Sequence, residues 1–212
     1  MAKWHAFGRC KTRLSKDIGR LNSAKIQEKM TRHTISVALS VKKKELIDIS
    51  LATSGIGFRK SKKWSNSLGI KNFNLQGRGS LGEKMKRQII NNKNLCLKKN
   101  FRNIIIIGTD LPDLCHMDLI STIEELKTND LILGPSNDGG YWLIAFSQKL
   151  FLSQNLYQPF VNIEWSTNNV LKKTIANFSS IDLKYNFLHT KIDVDKISDI
   201  ESMNKLNCLN FQ

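Results

Sequence analysis

Two short apolar runs, each ending in glycine and acidic residues, constrain the fold of this chain more than any other feature. They are residues 104–113, IIIIGTDLPD, and residues 131–144, LILGPSNDGGYWLI. A short β-branched run bounded by Gly or Pro is typical of a buried strand in a parallel sheet. Ligands of open α/β sheets bind beyond the carboxyl ends of such strands. These ends carry Asp110, Asp113 and Asp138, whose mutual repulsion favours a cation or a basic loop beside them.

Strand and helix patterns alternate along the chain, which predicts a layered α/β fold. The length of 212 residues fits one domain. The predicted helices are 22–41, 81–97, 118–126 and 168–176, with a closing helix that starts at the capping box Ser198–Glu201. The predicted strands are 46–52, 73–75 and those beginning at Ile104 and Leu131, followed by an apolar run at 141–146 and an extended segment at 187–194.

The composition excludes several classes of protein. No stretch reaches the roughly 18 apolar residues of a membrane span, and the start, MAKWH, lacks the apolar segment of a signal peptide. The four cysteines contain no C-x-x-C pair, which favours free thiols in a reducing compartment over a zinc site or a disulfide framework. We therefore expect a cytoplasmic protein without a membrane span, and a homo-oligomer is left open.

The formal net charge of +15 has two interpretations. It is typical of a nucleic-acid surface, or it reflects scattered, solvated lysines and attraction for a small polyanion. The basic clusters are spread along the whole chain, and no RNA- or DNA-binding motif accompanies them. We therefore expect no specific nucleic-acid partner, and a basic RNA-binding protein is the less favoured alternative.

A basic loop near the N-terminus, residues 8–14, is a candidate phosphate site. Its sequence, GRCKTRL, places Arg9, Lys11 and Arg13 behind the flexible Gly8. Arginine gives bidentate contacts to a diphosphate and lysine supplies a point charge. A solvated basic segment explains the same pattern, and composition alone does not separate the two interpretations.

Three other segments carry polar or glycine motifs. Residues 77–82 match G-x-G-x-x-G, but the acidic residue that a dinucleotide site needs about 20 positions later is missing, so a packing loop is the alternative. Asp193 and Asp195 alternate, which predicts both carboxylates on one side of a strand, facing the same cation as Asp110 or capping the next helix. Trp165 offers a stacking face, while the hydroxyls of residues 166–167 also fit a helix N-cap.

Taken together, these segments resemble a known bacterial family. The motifs occur in order over nearly the whole chain, and G-x-D-x-P-D-L with D-G-G-Y is a specific pair. The family is glycosyltransferase-like, was formerly known as domain of unknown function 2064, and includes transferases named for arsenosugar biosynthesis or selenodomain association. It is related to the nucleotide-diphospho-sugar transferases. The segments are AKW at 2–4, GRCKTRL at 8–14, GSLGEKM at 79–85, GTDLPDL at 108–114, GPSNDGGY at 134–141, WST at 165–167, DVD at 193–195 and DI at 199–200.

The resemblance implies a GT-A-like Rossmannoid three-layer sandwich with a mostly parallel central sheet, in a single domain over 1–212. It implies Mg²⁺ or Mn²⁺ as cofactor, held by Asp110 with Asp193 and Asp195, and a catalytic role for Asp110 and Asp138, the latter as a base or as the group that orients an acceptor. Nucleotide contacts are expected from Gly8, Arg9, Lys11 and Arg13, and substrate contacts from Asp113, Gly139, Gly140, Tyr141, Trp165, Ser166 and Thr167.

The reaction implied by the resemblance is metal-dependent transfer of a sugar from a nucleotide-sugar donor to a small-molecule acceptor. Glycines at 139–140 let an acceptor approach the backbone, and Tyr141 and Trp165 are candidates to stack on a sugar. The phospholactate guanylyltransferase family is similar in its K-x-R-L opening, so nucleotidyl transfer with release of pyrophosphate is the alternative. The chain departs from the family pattern at Ser80 and Lys196. An apolar strand normally precedes residues 2–3, so we expect the first strand to be truncated.

Overall fold

The computed structural model describes residues 1–45, 47–98, 103–181 and 183–205. Strands and helices alternate along most of this length, as the sequence predicts. No described helix combines the length and apolarity needed to cross a membrane. The strands are β1 (Ala2–Lys3), β2 (Ser50–Ser54), β3 (Asn72–Leu75), β4 (Ile104–Ile107), β5 (Leu131–Pro135), β6 (Tyr141–Phe146) and β7 (Tyr185–Phe187). The helices are α1 (Ser15–Lys42), α2 (Phe58–Ser67), α3 (Leu81–Lys98), α4 (His116–Glu125), α5 (Gln148–Leu152), α6 (Val170–Ser179) and α7 (Ile197–Lys205), with a 3₁₀ helix at Gln154–Phe160.

The chain divides into two compact units, and the first contains a fully parallel sheet. This unit comprises residues 1–75, 108–116 and 192–212. Its sheet has the order β1-β2-β3, with Ala2 opposite Thr53 and Leu51 opposite Phe73. Parallel strands need crossover connections, and α1 and α2 provide them. The core of the unit includes the buried side chains of Ala2, Ile35, Leu51, Trp64, Leu68 and Ile70.

The second unit, residues 76–107 and 117–191, contains a mixed sheet. Its order is β4-β6-β5-β7, with β6 antiparallel to both neighbours and β7 parallel to β5. The five-residue turn at 136–140 joins β5 directly to β6, so these two strands must run antiparallel. Strands β5 and β6 are almost wholly buried, as their continuous apolar sequences predict.

Most predicted elements are confirmed, but four predictions differ from the structure. The run at Ile104, predicted as a buried strand of a parallel sheet, forms β4, which is half-buried and antiparallel to β6. The strand predicted at 46–52 is β2, which starts only at Ser50; Leu46 lies outside the described residues. The extended segment predicted at 187–194 has only Phe187 in a strand, followed by an isolated bridge at Lys191. Three of the five strand pairings in the described residues are parallel.

The predicted capping box at Ser198–Glu201 is also wrong. Helix α7 begins at Ile197. The backbone N–H groups of Asp195 and Lys196 both donate to Asp199 Oδ2, at 2.8 and 2.9 Å. Asp199 therefore closes the start of the helix, because its carboxylate accepts two N–H groups and matches the positive end of the helix dipole.

Candidate phosphate and carboxylate site

The basic loop at 8–14 folds into successive turns between β1 and α1. Arg9 N–H donates to the Ala6 carbonyl at 3.0 Å, and Ser15 N–H donates to the Lys11 carbonyl at 2.8 Å. Cys10 and Leu14 are completely buried and anchor the loop. Lys11 has φ +46°, a left-handed conformation that costs an L residue roughly 1–2 kcal/mol. The left-handed turn at Lys11 thus lies between the buried Cys10 and Leu14, and the Lys11 side chain is directed into the protein.

The ammonium group of Lys11 lies between two carboxylates. Nζ is 2.7 Å from Asp110 Oδ2 and 3.1 Å from Asp195 Oδ1, and only 2% of the lysine side chain is exposed. Burial alone would lower the pKa of Lys11, but the charges and hydrogen bonds of Asp110 and Asp195 together outweigh it and raise that pKa. Lys11 is therefore a fixed, buried cation and does not belong to a solvated basic segment, while the phosphate contact predicted for the loop stays a prediction.

Asp110 is held by a residue that the sequence analysis did not identify. Gln27, which is buried on α1, donates from Nε2 to Asp110 Oδ1 at 3.0 Å. The backbone carbonyl of Asp110 also accepts a hydrogen bond from Val194 N–H at 3.0 Å. No sequence motif marks Gln27, because its partner is 83 positions away and because α1 buries other polar side chains as well, among them Ser23, Thr31 and Thr34.

Asp195 is positioned by the burial of its neighbour. Val194 is buried in a cluster with Leu14 and Met30, so the residue that follows it lies beside the basic loop. Asp195 Oδ2 is 3.7 Å from Arg13 Nη1, and the arginine side chain is 79% exposed. Arg13 therefore keeps most of its surface for a ligand, as does the exposed Arg9 of the same loop.

The expected metal site is assembled only in part. Within the described residues, no three His, Cys, Asp or Glu side chains are close enough together to hold a metal ion. The structure brings Asp110 and Asp195 to one ammonium group, whereas Asp193 does not join them as a third ligand. Two carboxylates that retain exposed oxygens still fit Mg²⁺ or Mn²⁺, because such ions are commonly bound by one or two carboxylates together with substrate phosphates.

Asp138 organises the turn between β5 and β6. Its Oδ1 accepts hydrogen bonds from Ser136 Oγ at 2.6 Å and from Gly140 N–H at 2.9 Å. Among the residues that the structure describes, no hydrogen-bonding or ionic partner contacts Oδ2 of this exposed side chain. One oxygen therefore has a structural role and the other points to no protein partner, which leaves it available to a ligand.

The glycines of this turn are required by close packing. Gly139 has φ +84°, and a Cβ atom there would overlap the Asn168 carbonyl oxygen. The Gly139 carbonyl accepts a hydrogen bond from Leu171 N–H at 2.9 Å, in the first turn of α6. The D-G-G motif thus joins the turn to the start of α6, and the predicted approach of an acceptor to these glycines stays a prediction.

The other predicted substrate residues have structural contacts of their own. The Tyr141 hydroxyl is buried beside Thr174, and burial raises the pKa of the phenol. Trp165 covers Gly82 so closely that a Cβ there would overlap its ring. Neither residue 166 nor 167 caps α6: Asn169 precedes the helix, and Thr167 Oγ1 donates to the Glu164 carbonyl at 2.8 Å. Asp113 lies half-buried in the segment 108–116 of the first unit.

The glycine motif at 77–82 leads into a capping box that the sequence analysis missed. Ser80 N–H donates to Glu83 Oε2 at 2.7 Å, and Glu83 N–H donates to Ser80 Oγ at 3.3 Å. The backbone and side-chain hydrogen bonds from Ser80 lower the pKa of Glu83. The S-x-x-E signature was visible in the sequence. The segment thus fits the packing-loop alternative to a dinucleotide site.

Comparison with solved structures shows the fold. A protein from Desulfovibrio desulfuricans G20, assigned as a nucleotide-diphospho-sugar transferase, superposes with a TM-score of 0.80 and 23% identity, over 99% of this chain and 86% of that one. The 4-diphosphocytidyl-2C-methyl-D-erythritol synthase of Anaerococcus prevotii DSM 20548 superposes with a TM-score of 0.58 and 13% identity, over 97% and 96%. The predicted GT-A-like α/β fold is confirmed.

Comparison of sequences gives the family. No curated protein matches the chain. The family model described as "Uncharacterized protein conserved in bacteria (DUF2064)" matches residues 36–167, which is more than half of the 212 residues. This range includes Asp110 and Asp138 but not the basic loop, Gln27 or Asp195. The resemblance found from the motifs is therefore confirmed, and the chain belongs to the DUF2064 family.

Proposed function

We propose that this protein is a metal-dependent transferase that moves a sugar from a nucleotide-sugar donor to a small-molecule acceptor. One observation carries the proposal: the buried Lys11 ammonium group, held by Asp110 and Asp195 at 2.7 and 3.1 Å, lies in a basic loop that follows a parallel strand. Burying an ammonium group is costly unless its charge is neutralised, and the two carboxylates hold this charge in place inside the loop.

The loop supplies what a diphosphate requires. Lys11 provides a point charge, and Arg9 and Arg13 provide planar groups that bind phosphate oxygens in pairs. Loss of a nucleoside diphosphate from a sugar increases the negative charge on the phosphates in the transition state, and fixed cations stabilise that charge. Lys11 and Arg13 are thus assigned to the leaving group.

Asp110 and Asp195 are the residues that would hold the metal ion. A bound Mg²⁺ or Mn²⁺ would add positive charge beside the departing diphosphate. Gln27 keeps Oδ1 of Asp110 occupied, so Asp110 would present Oδ2. In the second unit, Asp138 has one oxygen without a protein partner in the described residues, which suits acceptance of a proton from an acceptor hydroxyl.

Nucleotidyl transfer is the second candidate. It is supported by the shared fold with a synthase whose named product carries a diphosphocytidyl group. The same basic loop and carboxylates would serve both reactions, since each expels a phosphate leaving group: a nucleoside diphosphate in sugar transfer and pyrophosphate in nucleotidyl transfer. Sugar transfer is preferred because the structure assigned as a nucleotide-diphospho-sugar transferase superposes with a TM-score of 0.80, against 0.58 for the synthase.

The two reactions are separated by their products. The protein is incubated with Mn²⁺ and a panel of UDP-, GDP-, CDP- and ADP-sugars, and separately with the four nucleoside triphosphates. We expect slow release of nucleoside diphosphate from at least one nucleotide sugar, because water can attack the donor in place of an absent acceptor. The Asp138→Asn variant should lose this hydrolysis while still binding the nucleoside diphosphate. Release of pyrophosphate from a triphosphate, with every nucleotide sugar intact, would establish nucleotidyl transfer instead.

A further inference from the structure

The position of the Lys11 ammonium group points to a second role for this residue, beyond contact with phosphate. Its ammonium group lies between the two carboxylates assigned to the metal ion, at hydrogen-bonding distance from both. We infer that Lys11 keeps Asp110 and Asp195 closed to a free divalent cation and releases them only when a nucleoside diphosphate binds. The inference rests on the proposed function, and it makes the metal and the nucleotide bind as a cooperative pair.

The contacts of the carboxylate oxygens support this role. Asp110 Oδ1 accepts from Gln27 at 3.0 Å and Oδ2 contacts Lys11 at 2.7 Å. Asp195 Oδ1 contacts Lys11 at 3.1 Å, and Oδ2 is 3.7 Å from Arg13. Each oxygen therefore faces a donor or a cation of the protein. A divalent cation that entered alone would have to displace the ammonium group from both carboxylates.

The charges around the two carboxylates also disfavour binding of a divalent cation on its own. The ion pairs here set two carboxylates against one lysine and one arginine, so these four groups together carry no net charge to attract a free dication. Displaced without a new partner, the Lys11 ammonium group would remain buried next to the dication, and like charges at short range repel strongly where water is scarce. The resting cluster is thus selective against the metal alone.

A nucleoside diphosphate changes this balance. Its phosphates bring several negative charges and accept hydrogen bonds, so the ammonium group gains a new partner when it leaves the carboxylates. A lysine side chain suits such a transfer, because its charge sits at the end of a flexible four-carbon stem. By linkage, a diphosphate that draws Lys11 away from the carboxylates raises their affinity for the metal, and the metal raises the affinity for the diphosphate equally.

The test compares Mn²⁺ binding with and without Lys11. Mn²⁺ is titrated into the full chain and followed by electron paramagnetic resonance and calorimetry, first alone and then with UDP, GDP, CDP or ADP. Lys11→Met removes the ammonium group, and Lys11→Gln removes its charge but keeps a donor for the carboxylates. Lys16→Met is the matched control, because Lys16 is exposed in the same segment and contacts neither carboxylate. Thermal melts establish that each variant is folded.

The expected result is that both Lys11 variants bind Mn²⁺ alone about tenfold more tightly than the wild type, while Lys16→Met does not. The wild type should bind Mn²⁺ about tenfold more tightly with its preferred diphosphate than without it, and the Lys11 variants should lose this coupling. Equal or weaker Mn²⁺ binding by the Lys11 variants would overturn the inference.

The wild type alone also tests the inference, should neither variant fold. If a diphosphate binds but leaves the affinity for Mn²⁺ unchanged, the inference is overturned. The proposed function would survive that result. Failure of the wild type to bind any nucleoside diphosphate, with or without Mn²⁺, would overturn the proposed function and the inference together.

Discussion

Gln27 sets the orientation of the most important carboxylate in the site. The amide is 1% exposed and donates to Asp110 Oδ1, while the opposite oxygen faces Lys11. A neutral donor fixes the carboxylate without neutralising it, so the charge of Asp110 remains available to a cation. At the residue scale, Gln27 positions Asp110 through one carboxylate oxygen, and the other oxygen pairs with a cation.

Gln27→Leu should weaken metal-dependent nucleotide binding without unfolding the protein. Leucine has a similar volume but no donor, so Asp110 loses one hydrogen bond to a charged group, worth about 1.5–3 kcal/mol. We expect about a tenfold loss in the calorimetric affinity for the Mn²⁺–diphosphate complex. Thr31→Val, which alters a neighbouring buried polar side chain of α1, is the control, and an equal loss in both variants would argue against a specific role for Gln27.

Asp110→Asn should abolish divalent-dependent nucleotide binding while the protein stays folded. The amide retains an oxygen that accepts from Gln27, but it lacks the charge that a divalent cation needs. Asp17→Asn, at an exposed position in the same unit, should bind as the wild type does. Unchanged Mn²⁺–nucleotide affinity of Asp110→Asn in calorimetry would remove Asp110 from the metal site.

At the scale of elements, apolar periodicity predicted the helices that bury apolar stripes, α1 and α3, and β-branched runs predicted β4 and β5. Helix α2 was not predicted, because two of its buried positions are serines and interrupt the apolar pattern of the buried face. Ser61 Oγ hydrogen-bonds Thr53 Oγ1 and Ser65 Oγ donates to the Ile70 carbonyl, both at 2.6 Å. A buried polar residue satisfied by a distant partner leaves no apolar pattern in the sequence.

The candidate site was predictable to a similar extent. The basic loop and Asp110 follow from local chemistry, because cations behind a glycine and a carboxylate at a strand end are visible in a few residues. Gln27 and the exclusion of Asp193 depend on tertiary contacts that no local pattern encodes. The roles predicted for Tyr141 and Trp165 rest on residue type alone and stay predictions; the Tyr141 hydroxyl is buried, and the half-buried Trp165 packs against Gly82.

The capping box at the start of α3 should contribute measurable, pH-dependent stability. Ser80→Ala removes the hydroxyl that Glu83 N–H donates to, and loss of such a cap costs about 1 kcal/mol. In the folded protein the pKa of Glu83 is lowered. The ionised side chain therefore stabilises the folded state fully above the ordinary glutamate pKa of about 4.3, and this stabilisation is lost as the pH falls through the lowered pKa. Urea denaturation should therefore show a smaller loss of unfolding free energy for Ser80→Ala at acidic pH than at neutral pH.

The control is Ser36→Ala, at an exposed position on α1, which should show no change with pH. A loss for Ser80→Ala that does not depend on pH would argue against a stabilising contact between Ser80 and the ionised Glu83.

The turn at 136–140 should tolerate no side chain at Gly139. Gly139→Ala combines a positive φ with an overlap on the Asn168 carbonyl oxygen. Gly69→Ala is the matched control, because Gly69 also has a positive φ, +73°, but no atom lies within 4 Å of an added Cβ. We expect Gly69→Ala to cost about 1–2 kcal/mol from the backbone alone, and Gly139→Ala a further 1–3 kcal/mol, roughly, from overpacking. Similar melting temperatures for the two variants would mean that the turn moves freely away from α6.

At the scale of the whole molecule, the net charge of +15 acts over longer distances than any of these contacts. Helix α2 alone exposes Arg59, Lys60, Lys62 and Lys63, and its sequence contains no acidic residue. Such a charge raises the local concentration of any polyanion and speeds its encounter with the protein. Attraction of this kind serves an anionic substrate without requiring a nucleic-acid partner.

Binding to RNA should accordingly be weak, uniform and sensitive to salt. Without base-specific contacts, affinity comes from released counterions and falls steeply as the salt concentration rises. Gel-shift titrations with three unrelated single-stranded RNAs, at low and at physiological ionic strength, should give equal affinities at low salt and no complex at high salt. A complex with one sequence that persists at physiological salt would favour the RNA-binding alternative over an enzyme.

The contact between Lys11 and Asp195 can form only late in the synthesis of the chain. The two residues are 184 positions apart, so at about 5–20 residues per second a ribosome needs roughly 10–40 seconds to go from one to the other. During that interval the nascent chain carries the basic loop, and later Asp110, without the second carboxylate. A chain that stops before Asp195 therefore has the basic loop without this second carboxylate. In biosynthetic terms, the ion pair between Lys11 and Asp195 can form only after residue 195 has been synthesised.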